Sequence, residues 1–231
     1  TIVGNGNTRT VTIETSDTAK ATATKINAVA GATTVFAQAR TAALLRSSSS
    51  TDLSYTVKIN NVETAAFTLS SAGVTDAVTK INAITASTGV MAAATTDGKV
   101  LLSDSNGDDI TIENTSTQTT LFVAAVENDG KTTAAAGGED NLLASGGTDL
   151  TTISGTIRLT STEGFTVTQA TAIGAGASFF TDGEVAASLS SVSSIAVTDT
   201  IGASDALAVI DGALDTVSAM RGSLGTLQNR L

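Results

Sequence analysis

The 231-residue chain has no cysteine, histidine, proline or tryptophan, and a single tyrosine. The lack of cysteine excludes disulfides, thiol nucleophiles and thiolate metal sites. The lack of histidine removes the usual general base and the commonest transition-metal ligand. Without proline, folding meets no slow prolyl isomerisation. Aromatic residues make up only 3% of a composition that is 41% hydrophobic, so any core must be built from Ala, Val, Ile and Leu. Small cores of that kind suit modest domains better than one deep interior, and the length permits one large domain or two to three small ones. Basic residues are also scarce: 12 Lys and Arg stand against 22 Asp and Glu, a net charge of −10. Such a surface repels nucleic acid and anionic membranes, whose binding rests on cationic side chains meeting phosphate. No apolar run approaches the roughly 18 to 20 residues of a membrane helix. No basic segment followed by an apolar one, as in a signal peptide, stands at Thr1. The chain opens inside what reads as a strand, so it is expected to be part of something longer.

What is abundant is Thr and Ser interleaved with Val and Ile, as in Thr10-Val-Thr-Ile13 and Thr166-Val-Thr168. Period-two alternation of β-branched residues predicts half-buried strands. Gly4-Asn-Gly-Asn7, between Ile2-Val3 and Thr10 to Ile13, predicts a hairpin turn, because Asn and Gly tolerate positive φ. Two further hairpins are expected: Thr156 to Thr160 with Phe165 to Thr168 across Ser161 to Gly164, and Tyr55 to Ile59 with Val62 to Leu69 across Asn60-Asn61.

An internal repeat organises the first half. Thr24-Lys-Ile-Asn-Ala28 recurs as Thr79-Lys-Ile-Asn-Ala83, 55 positions later. Upstream, Thr10 to Ile13 corresponds to Ala66 to Leu69. Downstream, Val35-Phe-Ala37 corresponds to Val90-Met-Ala92, and Leu44-Leu45 resembles Leu101-Leu102. Each copy reads strand, helix, strand. Asp17 is positioned to cap a helix from Ala19 to Val29, and Thr75 or Asp76 one from Ala77 to Thr85. The polar run Ser47 to Ser50 reads as a linker, and the Ala/Gly-rich stretch 132–147 as loop. These soft stretches bracket residues 51–150, which suggests an insertion: one domain built from both flanks, with a second between them.

From Ser204 the pattern changes to that of a long helix. Leu207, Ile210, Leu214, Val217, Leu224 and Leu231 fall on heptad-like positions, with Arg221 and Gln228 interrupting and Met220 and Leu227 widening the stripe. Gly212, Gly222 and Gly225 each cost about 1 kcal/mol relative to Ala. Burying one Leu, Ile or Val contributes about 1.5 to 3 kcal/mol, so the stripe outweighs the glycines only if a partner covers it. No other segment reads as a long partner helix.

Ile201 to Leu231 carries a specific pattern: Ala206-Leu-Ala-Val-Ile-Asp-Gly-Ala-Leu-Asp215, then Met220-Arg-Gly-Ser-Leu-Gly-Thr-Leu-Gln-Asn-Arg-Leu231. It resembles the start of the C-terminal conserved region of bacterial flagellins, the long helix of their core domain D1. The two Lys-Ile-Asn-Ala copies resemble the IN motif of flagellin outer regions and of some other flagellar axial proteins. The resemblance implies an α+β fold with two small β-rich domains, each holding a strand-helix-strand repeat, one inserted in the other, followed by a long amphipathic helix. Residues 1–50 and 151–195 would form a D2-like outer domain, 51–150 an inserted D3-like domain, and 196–231 the returning D1-like helix. The N-terminal D1 helices and both D0 helices are not in this sequence, so the chain is expected not to form a filament by itself.

The same resemblance implies a structural, non-enzymatic, extracellular subunit of the bacterial flagellum, self-assembling for motility. No cofactor is expected, nor, from the net charge, a nucleic-acid or membrane partner. Its implied partners are other flagellin subunits, an export chaperone and the filament cap. Leu207, Ile210, Leu214, Val217 and Leu224 would pack within the core, while Asp211, Asp215, Arg221, Asn229 and Arg230 are candidates for contacts between subunits. Two rivals stand beside it. A cap or hook–filament junction protein shares the motif, but the Gln228-Asn229-Arg230 ending favours flagellin. A surface adhesin or carbohydrate-binding module would expose aromatic platforms, and this chain has one Tyr, six Phe and no Trp.

The remaining motifs are weak. Asp104-Ser-Asn-Gly-Asp-Asp109 starts like a calcium loop, but the sixth position is Asp109 instead of Gly and the twelfth is Thr115 instead of Glu. It reads as an Asn-Gly hairpin turn between Val100 to Leu102 and Ile110 to Ile112. Asn114-Thr-Ser116 fits the N-glycosylation triplet, which arises easily in Ser/Thr-rich chains; the resemblance makes O-linked sugars the more plausible modification. Gly4-Asn-Gly-Asn7 lacks the Lys-Ser/Thr that would complete a phosphate loop, a serine nucleophile would lack a histidine base, and the scattered carboxylates show no catalytic pairing.

Overall fold

Short alternating runs separated by Asn, Gly, Ser and Asp fold as many short strands, with two short helix pairs and one long helix among them. A computed structural model describes residues 1–126, 139–143, 149–169, 183–188, 193, 195, 197 and 200–230. Strands β1 (Ile2–Gly4) and β2 (Asn7–Arg9) precede helix α1 (Ala19–Asn27) and the one-turn α2 (Ala30–Thr33). Next come β3 (Phe36–Ser47), β4 (Leu53–Tyr55), β5 (Val57–Ile59), β6 (Val62–Glu63) and β7 (Phe67–Leu69). Helices α3 (Thr75–Asn82) and α4 (Thr85–Thr88) lead into β8 (Met91–Ala94), β9 (Val100–Asp104), β10 (Ile110–Asn114) and β11 (Leu121–Ala125). The last elements are β12 (Glu139–Leu142), β13 (Leu150–Ile153), β14 (Thr156–Thr160), β15 (Phe165–Gln169), β16 (Gly183–Ala186) and α5 (Thr200–Arg230).

The chain divides into two units. One comprises Thr1–Asp17, Ala21–Ala37 and Leu159–Leu231; the other Thr18–Lys20 and Gln38–Arg158. The first unit holds a four-stranded sheet in the order β16-β15-β1-β2. Its strands are antiparallel, with Ile2 opposite Val167 and Arg9. Beside it, the Lys25 ammonium lies 2.5 Å from Asp17. That bond, with the Glu14 N–H, holds the Asp17 carboxyl below its ordinary value.

The second unit contains the sheets β13-β10-β5-β6 and β12-β11-β3-β9-β8, with β14 also paired to β3, and the ribbon β4-β7. One core gathers side chains from both sheets, the ribbon and α3: Leu45, Tyr55, Val57, Ile59, Phe67, Leu69, Ile81, Leu102, Ile110, Ile112 and Leu121 are among its buried members. Period-two burial is clearest in β10, where Ile110, Ile112 and Asn114 point inward. Tyr55 stacks on Phe67 at 6.2 Å and satisfies its hydroxyl with Ser47 Oγ at 2.7 Å and Thr120 Oγ1 at 2.6 Å. On the outer face Arg46 lies over the Phe122 ring at 4.4 Å and bonds Glu139. This bond holds the Glu139 carboxyl below its ordinary value.

The Asn-rich turns behave as their chemistry requires. Asn5 and Gly6 have φ of 49° and 68°, and Asn60 and Asn61 have 48° and 67°. Both are two-residue turns whose positive φ matches strand twist. They join β1 to β2 and β5 to β6, and they sit 55 positions apart. The repeat thus extends further than the Lys-Ile-Asn-Ala pattern shows, to a hairpin, two helices and a strand.

Several expectations need correction. The strand expected at Thr10 to Ile13 ends at Arg9. β14 and β15 both form, but not as a hairpin: β14 pairs β3, and β15 pairs β1 and β16. Likewise β9 and β10, joined by the Asp104 to Asp109 turn, enter different sheets. Within that turn Gly107, at φ 75°, lies close to Ala39: an added Cβ would lie 2.3 Å from the Ala39 Cβ. The helices are shorter than expected, breaking after Asn27 and Asn82 into a second turn. Neither expected cap acts as one in the second copy: the N-cap is Val74, without a side-chain bond, and Asp76 accepts from Thr68 N instead. Asp17 accepts from Glu14 N and Lys25. Ser47 is no linker residue but the buried end of β3. Most of 132–147 lies outside the described residues, yet 139–142, expected as loop, form β12 against β11.

Candidate assembly interface

Helix α5 is the element that sets a candidate interface. Its 31 residues span about 46 Å at about 1.5 Å per residue. Ala and Leu favour the helix, and two of its threonines tuck hydroxyls into it: Thr216 Oγ1 donates to Gly212 O at 2.9 Å, and Thr226 Oγ1 to Ser223 O at 2.7 Å. Among its described side chains Ala206 alone is buried. The heptad residues are open: Leu207 is 64% exposed, Ile210 40%, Leu214 58%, Val217 53% and Leu224 60%, with Met220 beside them at 61%. An apolar stripe of that length is costly to leave in water.

Asp211, Asp215 and Arg221 are exposed on the same helix. Asp211 and Asp215, four apart, repel one another, an arrangement that weakens an isolated helix by a few tenths of a kcal/mol. The side chains of Leu227, Asn229 and Arg230, and Leu231 altogether, lie outside the described residues. A Cβ added at Gly212, Gly222 or Gly225 would meet nothing within 4 Å. Gly222→Ala with Gly225→Ala is therefore expected to stabilise α5 by about 1 kcal/mol per site. Far-ultraviolet circular dichroism of the whole chain checks it: helix signal should persist to higher temperature, and an unchanged profile would contradict the exposed-helix geometry.

Among the described residues the polar clusters are engaged within the fold. Asp104 is buried and turns Oδ1 onto its own loop, accepting from Asn106 N at 2.7 Å and Gly107 N at 3.1 Å. Asp108 pairs with Lys20 at 2.6 Å. Burial pushes the Asp109 carboxyl up, against a bond from the Gly155 backbone. Among the described residues no group of three or more His, Cys, Asp or Glu side chains could hold a metal ion. Asn114 is fully buried, its Nδ2 donating to the carbonyls of Gln118, Leu142 and Leu143, so its amide nitrogen is not open to a sugar. Sequence reasoning missed the role of Asn27 and Asn82, which bond main chain across a gap of ten residues. Their recurrence in the repeat was the signal that could have found it.

Comparison with known proteins makes the chain a flagellin-like protein. The relative that carries this is the B-type flagellin of Pseudomonas aeruginosa, 33% identical over 174 residues. The match covers 71% of this chain and 34% of that flagellin, so the chain spans about a third of the relative's length. No family model matches. No described helix is long and apolar enough to cross a membrane.

Proposed function

We propose that this chain is part of a subunit of the bacterial flagellar filament, with a structural and not a catalytic role. The open apolar stripe of α5 carries the reading: a helix of this length with one buried described side chain needs further helices to cover it. In this reading Leu207, Ile210, Leu214, Val217 and Leu224 pack against core helices of the same subunit. Asp211, Asp215, Arg221, Asn229 and Arg230 meet neighbouring subunits, where a cation between Asp211 and Asp215 would relieve their repulsion. The strand-rich units project outward as D2-like and D3-like domains, with 51–150 inserted between 1–50 and 151–195. That the first unit draws on both flanks of the second supports such nesting. Assembly into an extracellular filament for motility, with other flagellin subunits as partners and an export chaperone and cap assisting, completes the proposal.

Immunogold labelling of cells producing the protein tests it. Antibodies raised against this chain are expected to decorate filaments along their whole length. Label confined to the tip would move the reading to a cap, and label at the base to a junction protein. Bare filaments would end the proposal.

A further inference from the structure

β8 is the last strand of its sheet, paired to β9 on one side only. Its sequence, Met91-Ala-Ala-Ala94, has no charge and no proline, and Met91 is 56% exposed. Such an edge, with unpaired N–H and C=O groups, is a template for strand addition unless something blunts it. Here side chains take the place of a neighbouring strand. Ala92 N donates to Asn82 Oδ1 at 2.8 Å, and Asn82 Nδ2 donates to Ala92 O at 2.9 Å. Two residues back, Val90 N donates to Thr88 Oγ1 at 3.2 Å, and Thr85 Oγ1 donates to Val90 O at 2.8 Å. Alternate residues on the free side of a strand present both main-chain groups outward. At Val90 and Ala92 all four groups are thus taken.

The other copy of the repeat does the same. Asn27 exchanges both bonds with Ala37, at 2.7 and 2.9 Å, and Val35 N reaches Thr33 Oγ1 at 3.4 Å. Ala30 stands where the second copy has Thr85. A carboxamide suits this task because it offers one acceptor and one donor in a plane, as a peptide group does.

We infer that Asn82, Thr85 and Thr88 form a side-chain surrogate strand that covers the β8 edge at Val90 and Ala92 and so blocks its pairing with the same edge of a second copy of the chain. The break in each helix pair brings these side chains to the strand. The device is independent of the filament reading, because it acts on the strand-rich unit whatever α5 packs against.

Asn82→Ala in the whole chain tests it, with Thr79→Ala as control. Thr79 Oγ1 bonds Thr75 O within α3 and makes no bond to β8. In Asn82→Ala the Ala92 amide is expected to exchange about tenfold faster. The variant should also associate with rising concentration in sedimentation velocity and bind a synthetic peptide of residues 89–95. The wild type and Thr79→Ala should do none of these. Unchanged exchange at Ala92, or faster exchange without association or peptide binding, overturns the inference. If Asn82→Ala does not fold, Thr85→Ala with Thr88→Val uncovers both Val90 groups and must show the same association; a strictly monomeric double variant that leaves the peptide unbound overturns it equally.

Discussion

Replacing Leu207, Leu214 and Leu224 together by serine is expected to leave the stability of the isolated chain nearly unchanged and to remove the protein from filaments. All three are at least 58% exposed here, and surface substitutions of this kind shift stability by roughly 0.5 kcal/mol or less. If core helices cover them in the assembled subunit, each contributes about 1.5 to 3 kcal/mol. Losing three would then withdraw roughly 5 to 9 kcal/mol from packing, comparable with the whole stability of a domain. The two readouts are the thermal midpoint of the chain and immunogold label along filaments of cells producing the triple variant. Label at wild-type density would show that the stripe is not buried on assembly.

Phe67→Ala should have the largest effect on the chain itself. Phe67 is 1% exposed and stacks against Tyr55 in the core of the second unit. Truncating a buried Phe costs about 3 to 5 kcal/mol, part of it for the cavity left behind. A chain without disulfides has only packing and hydrogen bonds to offset that loss. Tyr55 is the single tyrosine and there is no tryptophan, so intrinsic fluorescence reports this unit alone. The urea midpoint read that way should fall by roughly 2 M. A fall worth under about 1 kcal/mol would mean that the pocket collapses around the smaller side chain.

The parts of the fold that could be read from the sequence were those decided within a few residues. Asn5-Gly6 and Asn60-Asn61 announce their turns because few residues accept positive φ. The α5 stripe follows from heptad spacing, and its exposure from the lack of a second long helix among the described residues. Strand partners could not be read in the same way. The Ser161 to Gly164 and Asp104 to Asp109 turns look like hairpin turns, but local chemistry says only that the chain reverses, not which strand accepts the next ladder. In the second case the next ladder lies on β5 and β13, far from the turn in sequence. The helix breaks were hidden for a related reason: Asn27 and Asn82 are ordinary in a helix until their distant strand residues are known.

Strand β3 has a kinetic consequence. At Leu45 its neighbours are β9, with Leu45 opposite Val100, and β11, with Leu45 opposite Val123, and β14 pairs with it as well. A strand in the middle of a sheet is thus bracketed by segments 55 and 78 residues downstream. Closing such loops carries entropy that no nearby contact offsets, whereas the Asn-Asn hairpin and the helix pair beside it close over a few residues. Distance along the chain is therefore expected to set the order of events in this unit: local pieces form early and persist only marginally, and cooperativity waits for the distant strands β9, β11 and β14 to reach β3. With no proline to isomerise, that long-range pairing is the slow event in its folding.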